Sequence, residues 1–332
     1  MNESLPRVTI LIAARPEQDE IKAVTASRAL DYPPEKFEII VARGKQPSVQ
    51  RNAATRAATG ELIYFLDDDS VPDRSNLGRA ISIFKDPTVK MLGGPNCCPP
   101  DAPGLEQVFA LVLGSWLAFG PSRARYAPVG HRRVTSEKEL ILCNLIARRD
   151  DLIGLGGFNE ALYPNEENAL MDELQKRGGK LIYDPDFFVY RRPRSTLKAF
   201  AKMLRTYGRG RGEQFRLHPT PGSALNFAPP LVLIYLVVTA LFWVVSFLVS
   251  GLVPARTVLL LPLAVYGLIV LGQAAFLVAR GGWARSLAAA PLIVLSHILY
   301  GAGVLRGLRT KFQPVEQRAI QAQVVLEKVS LG

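Results

Sequence analysis

Three consecutive carboxylates, Asp67, Asp68 and Asp69, are the residues of this chain best suited to chemistry. They follow an apolar run that ends at Leu66 and is typical of a buried strand. Ligands of open α/β sheets bind at the carboxyl ends of the strands, so carboxylates at this place predict a cation site. Hard oxygen ligands suit Mg²⁺ or Mn²⁺, which commonly complete their shell with substrate phosphates. The alternative is an acidic turn that caps the next helix, which would explain one aspartate more readily than three.

The segments around these carboxylates alternate between strand-like and helix-like patterns. Short apolar runs predict strands, and the longer mixed stretches between them predict helices. We predict strands over Val8–Ala14, Phe37–Ala42, Leu62–Leu66 and Val89–Gly93, and helices over Ile21–Leu30, Gln50–Ala58 and Leu77–Phe84. This alternation predicts an α/β fold with a parallel sheet and right-handed crossovers, an architecture that suits nucleotide binding.

Apolar residues are concentrated toward the end of the chain. Leu231–Val253 and Val258–Ala279 are uncharged and exceed the about 20 residues that cross a bilayer. We predict two transmembrane helices there; the alternative, core helices of a soluble protein, rarely combines such long apolar runs with short basic connectors. A weaker third segment, Ser286–Leu305, contains Pro291 and His297 and predicts a bent or re-entrant helix, or else a plain anchor.

These patterns divide the chain into four parts. A linker rich in proline and glycine precedes the apolar region. Within the first part, Leu105–Phe119 is too short for a comfortable span and predicts either core or contact with the membrane interface. The predicted parts are an α/β domain over residues 1–217, a linker over 218–230, a membrane region over 231–312 and a C-terminal tail over 313–332.

The formal net charge of +11 predicts anionic partners. Basic residues are dense between Arg191 and Arg216, just before the first apolar segment, which favours membrane lipid over nucleic acid. The positive-inside tendency then predicts a multi-pass protein of the plasma (inner) membrane whose large domain faces the cytosol. The chain opens without a secretory leader pattern, in keeping with that orientation. The three cysteines lack a CxxC spacing and predict ordinary reduced thiols.

Four stretches of the sequence resemble the glycosyltransferases of family 2. PRVTILIAARPEQDEI is similar to the opening strand and turn of that family, and PSVQRNAATRAATGELIYFLDDD to the segment that ends in its DxD motif. ILCNLIARRDDLIGLGGFNE is similar to its acceptor segment, and NEENALMDELQKRGGKLIYDPDFFVYRRPR to its Glu-Asp helix and the strand after it. The resemblance spans nearly all of residues 6–217 and implies an inverting enzyme with a GT-A (Rossmann-like) fold. With the apolar segments, PRSTLKAFAKMLRTYGRGRGE most resembles the succinoglycan-type glucosyltransferases of exopolysaccharide assembly.

The resemblance implies transfer of a sugar from a nucleotide-sugar donor, by default a UDP-hexose, to a lipid-linked saccharide or a polyprenyl phosphate. It also implies partners in polysaccharide assembly. Asp67 and Asp69 match the DxD positions and would hold Mg²⁺ or Mn²⁺ against the donor diphosphate, with Asp68 beside the donor.

Glu167 matches the catalytic base of the family, where Asp is the common residue, and Glu166 matches the acid before it. Such a base would deprotonate the acceptor hydroxyl. From the residues alone, the two glutamates are better explained as the charged first turn of a helix that Asn165 caps and that runs to Lys176. The resemblance reverses that preference.

Arg51 and Asn52 match an Arg-Asn pair near the donor diphosphate, where a guanidinium can bind phosphate oxygens in bidentate fashion. An arginine on a helix surface is the alternative. Glu17 matches the first-turn acid near the nucleobase, although Pro16 replaces the usual asparagine and surface placement would also explain this glutamate.

Asn144, Gly156 and Gly157 match elements of the acceptor site, although the two glycines could instead supply backbone angles that other residues cannot adopt. Processive relatives carry Gln-x-x-Arg-Trp where this chain has a degenerate version, so processive synthesis is not implied. Its basic and aromatic residues could bind a diphosphate or a lipid phosphate. This expected phosphate-binding set is Arg205, Tyr207, Arg209 and Arg211.

One departure from the family concerns the second strand. The usual Asp-Gly-Ser, whose acid contacts the nucleoside, is replaced by the sequence from Ala42 to Lys45, which reads Ala-Arg-Gly-Lys. The nucleobase is then held in another way, or the donor differs, or donor binding has been lost. The alternative function is therefore a catalytically silent scaffold of the same fold in a polysaccharide assembly complex.

Overall fold

The computed structural model describes residues 5–160, 166–217, 219, 224, 226–249, 253–310 and 323–330. The chain forms two compact units. The first comprises Met1–Asp101, Pro121–Arg192 and Phe312–Gly332, and the second comprises Ala102–Gly120 and Pro193–Lys311. The domain boundaries set out above, at 217, 230 and 312, stay predictions.

Strands and helices alternate through the first unit, and helices alone make up the second. The strands are β1 Val8–Ala14, β2 Phe37–Arg43, β3 Leu62–Asp67, β4 Val71–Pro72, β5 Val89–Gly93, β6 Asn96–Cys97, β7 Arg133–Thr135, β8 Asn144–Arg148, β9 Lys180–Tyr183, β10 Val189–Tyr190 and β11 Val325–Val329. The helices are α1 Lys22–Ser27, α2 Pro47–Ala57, α3 Asn76–Phe84, α4 Gly104–Leu113, α5 Trp116–Phe119, α6 Arg149–Gly154, α7 Glu166–Lys176, α8 Leu197–Leu217, α9 Ala228–Leu248 and α10 Val253–Gly307.

The main sheet has the order β11-β2-β1-β3-β8-β5-β9-β7. β2, β1 and β3 are parallel, whereas β8 runs antiparallel to both β3 and β5. The predicted α/β fold is confirmed, but the sheet is mixed rather than wholly parallel. Both faces are covered by apolar clusters, so successive residues of β1 are buried on alternate sides, Ile10 and Ile12 on one and Leu11 on the other. This double burial explains why the strand segments are nearly continuous apolar runs.

The predicted elements of the first unit are present with shifted ends. α2 begins at Pro47 rather than Gln50, because proline suits the first turn of a helix, where its missing N–H is not needed. α1 is shorter than predicted, since it contains the β-branched residues Val24 and Thr25 and has no side-chain cap.

A second, three-stranded sheet has the order β4-β10-β6. β4 begins two residues after Asp69, and β10 ends one residue before Arg191. Because Tyr190 pairs with Val71 in this sheet, it brings residues far apart in sequence to the same edge of the first unit.

Residues 325–329, within the predicted C-terminal tail of residues 313–332, form β11. β11 pairs antiparallel with β2 over five residues, from Val325 opposite Arg43 to Val329 opposite Ile39. An open edge of β2 would expose unpaired backbone N–H and C=O groups, and β11 satisfies them.

The second unit contains helices with mostly exposed apolar side chains. Two helices, Ala228–Leu248 and Val258–Gly307, are long and apolar enough to cross a membrane by length and composition. A break at Gly282, with φ of 73° and ψ of 169°, divides α10. The third apolar segment, for which a bent or re-entrant helix or a plain anchor was predicted, is helical after that break, with Pro291 inside the helix.

Paired glycines line the contact between α8 and the last part of α10. A Cβ atom at Gly208 would lie 2.1 Å from the carbonyl oxygen of Tyr300, and one at Gly307 would lie 2.1 Å from that of Arg209. Gly212 and Gly303 meet backbone atoms of the facing helix in the same way, at 2.5 and 2.4 Å. The two helices therefore approach at a distance that only glycine permits.

His297 has a structural role within the second unit. Its Nε2 lies 2.8 Å from the carbonyl oxygen of Leu117, and its Nδ1 lies 2.6 Å from Tyr266 Oη. Because a carbonyl oxygen only accepts, Nε2 carries the proton, and the neutral ring then accepts from the tyrosine at Nδ1. The ring thereby joins α5 to two parts of α10.

Candidate functional site

Arg51 joins two carboxylates at the carboxyl edge of the main sheet. Its Nη1 donates to Glu166 Oε1 at 2.9 Å, and its Nη2 donates to Asp67 Oδ1 at 3.3 Å. Asp67 is the last residue of β3 and Glu166 the first of α7, so the guanidinium links three elements. The side chains of Arg51 and Glu166 are 9% and 3% exposed, which protects this ion pair from screening by salt.

Arg191 spans the first and third carboxylates of the acidic run. Its Nη1 lies 3.1 Å from Asp67 Oδ2, and its Nε donates to Asp69 Oδ1. Burial disfavours the charge of Arg191, but the two aspartates outweigh that effect and raise its pKa. Sequence reasoning placed Arg191 among the basic residues that precede the membrane and missed this contact.

The acidic run offers carboxylate oxygens of the kind that a divalent cation binds. Asp67 and Asp69 already share one positive group, and their side chains are 25% and 44% exposed, so a cation could approach from solvent. Two hard oxygen ligands leave the remaining positions of Mg²⁺ or Mn²⁺ to water and phosphate. Among the described residues, no group of three or more His, Cys, Asp or Glu side chains is placed to hold a metal ion. The carbonyl of Asp68 accepts from the backbone N–H of Ala23 at 3.0 Å and fixes the turn.

The two glutamates at the start of α7 differ in environment. Glu166 is buried, and burial together with the neighbouring charge of Glu167 raises its pKa to about 7, against the opposing effect of Arg51. Glu167 is only partly buried. Asn165, the expected cap of this helix, lies outside the described residues. The first turn of α7 thus contains a buried acid, Glu166, which binds Arg51, and a partly buried acid, Glu167, beside it.

Asn52 holds the segment that contains Gly156 and Gly157. Its Nδ2 donates to Phe158 O at 2.9 Å and to Glu160 Oε1 at 2.8 Å, while its Oδ1 accepts from the N–H of Phe158. Gly156 and Gly157 have φ of 80° and 81°, a region that favours glycine. A Cβ atom at Gly157 would lie 2.4 Å from Asn52 Oδ1, so the expected donor residue Asn52 packs against the turn that contains the expected acceptor glycines.

Asn144 departs from its expected position in an acceptor site. The residue is fully buried, and its Oδ1 accepts from Tyr64 Oη at 2.8 Å. Its Nδ2 donates to the carbonyl of Phe187 at 2.7 Å. An acceptor would have to break these bonds, so we treat Asn144 as a core residue that links β8 to the neighbouring segments.

The turn after β1 contains the expected nucleobase residue. Glu17 is exposed there. Arg43 Nη1 donates to the carbonyls of Gln18 and Arg15, at 2.7 and 3.3 Å. Gln50 is buried and donates to Ala14 O at 2.8 Å and Ala42 O at 2.6 Å, which fastens the ends of β1 and β2 together. Sequence reasoning missed both anchoring residues.

The expected phosphate-binding residues lie on α8, in the second unit. Arg209 Nε lies 3.4 Å from Glu213 Oε1, and Arg211 Nη1 donates to Gln214 Oε1 at 3.0 Å. Arg205 is exposed and Tyr207 is partly buried. Their alternation with glycine in this helix is explained by the close helix contact described above.

The first part of the sheet is similar to known proteins. Residues 4–97 match the family described as Glycosyl transferase family 2. Two curated relatives, the pre-mycofactocin glycosyltransferases of Mycobacterium tuberculosis strains CDC 1551 / Oshkosh and ATCC 25618 / H37Rv, are each 27% identical over 193 residues. The match covers 54% of this chain and 37% of those relatives, so this chain spans little more than a third of their length.

Two solved structures also match this chain. A mannosyltransferase, PcManGT from Pyrobaculum calidifontis in complex with GDP-Man and Mn²⁺, is 19% identical with a TM-score of 0.48, covering 87% of each chain. TarS 1-349 of S. aureus in complex with UDP is 13% identical with a TM-score of 0.42, covering 90% of this chain and 91% of its own.

The matched segment contains β1, β2 and β3 together with the acidic run that Arg51 and Arg191 contact. These strands position the site at their carboxyl ends, as the topology of the mixed sheet requires. Residues 4–97 are thus similar to Glycosyl transferase family 2 and lie in a mixed α/β sheet, and apolar helices that are candidate membrane spans follow later in the chain.

Proposed function

We propose that this chain is an inverting glycosyltransferase that moves a hexose, by default from a UDP-sugar, to a lipid-linked saccharide or a polyprenyl phosphate. The observation that supports it best is the cluster in which Arg51 and Arg191 meet Asp67 at the edge of the family-2 segment. Arginines and carboxylates at one strand end suit a diphosphate and its cation.

In this proposal Asp67 and Asp69 hold Mg²⁺ or Mn²⁺, which would offset the charge that develops on the departing nucleoside diphosphate. Arg51 and Arg191 are both within hydrogen-bond distance of Asp67. They would bind the phosphate oxygens that enter the site, since a planar guanidinium matches phosphate geometry.

Glu167 is the proposed base, because it combines a carboxylate with access to solvent. Glu166 would position it by anchoring the first turn of α7 to Arg51. The raised pKa of Glu166 also means that this side chain can hold a proton near neutral pH.

The proposed place of action is the cytosolic face of the plasma membrane, during synthesis of a surface polysaccharide of the succinoglycan type. α9 and α10 would provide the membrane attachment. The basic residues of α8, including Arg205 and Arg211, would face anionic headgroups or the phosphate of the acceptor.

A scaffold without catalytic activity is the second candidate. It is favoured by one observation: the expected acid after β2 is replaced by Arg43, which is occupied with the turn after β1. Under this alternative the fold would bind assembly partners and turn over no donor.

The test is metal-dependent release of nucleoside diphosphate by the full chain in lipid, supplied with UDP-, GDP- and dTDP-sugars. We expect Asp69→Asn and Glu167→Gln to lose at least about 100-fold in rate, because a cation ligand or the base is removed. Asp150→Asn and Glu173→Gln are matched controls, since these acids are exposed and lie away from the cluster. If no donor turns over with membrane lipid extract present and the fold intact, the scaffold becomes the better explanation.

A further inference from the structure

β11 carries a charged residue to the carboxyl end of β2. Glu327 Oε1 lies 2.7 Å from Arg43 Nε, and Arg43 is the last residue of that strand. Val325 is directly opposite Arg43 in the ladder, so Glu327 reaches it diagonally from two residues along the strand. A segment more than 280 residues away in sequence therefore contributes a carboxylate to this edge of the sheet.

Arg43 also contacts the turn after β1. Its Nη1 donates to Gln18 O at 2.7 Å and to Arg15 O at 3.3 Å, on either side of Glu17. Arg43 thus contacts Glu327 through Nε and the turn through Nη1, and its side chain is 19% exposed. A fixed fork of donors holds both partners at once, which a single ammonium group does less well.

Close packing at Gly44 fixes the loop that follows. A Cβ atom at Gly44 would lie 2.9 Å from Gln50 Cγ and 3.4 Å from the carbonyl oxygen of Gln323. Gln323 precedes β11, so the chain that enters β11 forms one wall of this loop. The ends of β1, β2 and the incoming segment consequently form one packed edge.

This edge lies beside the acidic run on the same side of the sheet. β1 separates β2 from β3, and two interstrand steps of about 4.8 Å place the end of β2 roughly 10 Å from the end of β3. That separation is comparable with the length of a nucleoside whose diphosphate lies at Asp67 and Asp69. Ligands of parallel strands lie along such carboxyl ends.

We propose that β11 is part of the donor-binding edge and that Glu327 is a positioning residue for the nucleoside of the donor. It acts through Arg43, which orders the turn of residues 15–18 against which the nucleoside lies. This inference rests on the proposed function, since it assumes that a nucleotide sugar occupies the site.

A second ion pair on β11 separates this role from simple attachment of the strand. Lys328 Nζ lies 3.2 Å from Glu38 Oε2, near the amino end of β2 and away from the site. Both pairs fasten β11 to the sheet, but only the Glu327 pair touches the turn. Lys328→Gln is therefore the matched control for Glu327→Gln.

The experiment uses the full chain in detergent and measures affinity by calorimetry for UDP, for GDP and for pyrophosphate, each with Mn²⁺. Pyrophosphate carries no nucleoside and reports on the phosphate site alone. We expect Glu327→Gln to raise the Kd of the better nucleoside diphosphate about threefold, as a partly exposed ion pair allows, and to leave pyrophosphate unchanged. Arg43→Lys should show the same selective loss, and Lys328→Gln should show none.

Equal weakening of both ligands would indicate general damage to the site and would overturn the positioning role. Unchanged nucleoside diphosphate binding in Glu327→Gln would also overturn it while leaving the proposed function intact. If the wild-type protein is folded and binds no nucleoside diphosphate, the proposed function itself fails.

Discussion

A single guanidinium, that of Arg191, bridges the two carboxylates proposed to hold the metal. In the absence of nucleotide, this guanidinium and a divalent cation would compete for the same oxygens. The Arg191→Gln variant should therefore bind Mn²⁺ about threefold more tightly than wild type when no nucleotide is present, and should bind nucleoside diphosphate more weakly.

Titration of Mn²⁺ followed by electron paramagnetic resonance measures the first effect directly. Arg79→Gln is the control, since Arg79 pairs with Asp184 and Asp186 instead. Weaker Mn²⁺ binding in Arg191→Gln would show that the guanidinium organises the carboxylates rather than competing for them.

Glu38 is expected to make stability depend on pH. Burial disfavours its charge, but hydrogen bonds from Thr59 and Thr9, with Lys328, outweigh this and lower its pKa to about 2 from 4.5. A lowered pKa stabilises the fold above the unfolded value and loses that effect as the pH falls between about 4.5 and 2.

Glu38→Gln should therefore lower the free energy of unfolding by about 2 kcal/mol at neutral pH, and the difference from wild type should shrink as the pH falls toward 3. Thermal unfolding at several pH values measures it, with the exposed Glu35→Gln as control. A difference that stays constant with pH would contradict the assignment.

Sequence reasoning pointed to some residues of the candidate site and missed others. Asp67 and Asp69 are candidates from sequence because they are adjacent to a recognisable strand. The partner of Asp69 could not, since 122 residues separate it from Arg191 and the small sheet that joins them consists of two-residue strands. Buried asparagines were misleading in another way: Asn144 carries a polar side chain that the core satisfies, which sequence alone does not distinguish from a ligand contact.

The helices of the second unit depend on glycine at their closest contact. Gly208 and Gly303 allow backbone approach that any side chain would block. We expect Gly303→Ala to lower the melting temperature and the yield of folded protein, because a Cβ there would lie 2.4 Å from the carbonyl oxygen of Arg205.

Gly272→Ala provides the matched control, because nothing lies within 4 Å of a Cβ at that position and alanine favours a helix more than glycine does. Thermal stability of the two variants in the same detergent measures the effect. Equal stability would mean that the helices separate easily and that the close contact contributes little.

Elements with strong local patterns were predicted and those formed by distant partners were not. β3 follows from its apolar run alone. β11 is short, exposed on most of its residues and stabilised by the open edge of β2, so its own sequence carries little signal. For the third apolar segment, Pro291 suggested a bent or re-entrant helix beside the plain-anchor alternative, and the segment is helical.

For the whole molecule, composition indicated an α/β part and an apolar helical part, and both are present. The division of the chain into its two compact units was harder to predict from the sequence. Residues 102–120 belong to the second unit although they lie within the span of the first, because packing rather than chain order decides such membership.

The return of β11 to β2 also limits how the chain can pass through a bilayer. Residues 37–43 and 325–329 share a sheet and must lie on the same side, so the chain between them crosses an even number of times. Among the described residues between them, three apolar helical stretches are long enough to cross, 228–248, 253–281 and 283–307, so an even number of crossings by these stretches leaves at least one that does not cross.

In a variant without the native cysteines, we expect an impermeant thiol reagent added outside to label Val249→Cys and to spare Gly282→Cys and Ser330→Cys. This pattern corresponds to crossing by the first two stretches. External labelling of Ser330→Cys would contradict it. The pairing of β11 with β2 thus requires an even number of membrane crossings between the two strands. This requirement is independent of hydropathy and of the distribution of charge.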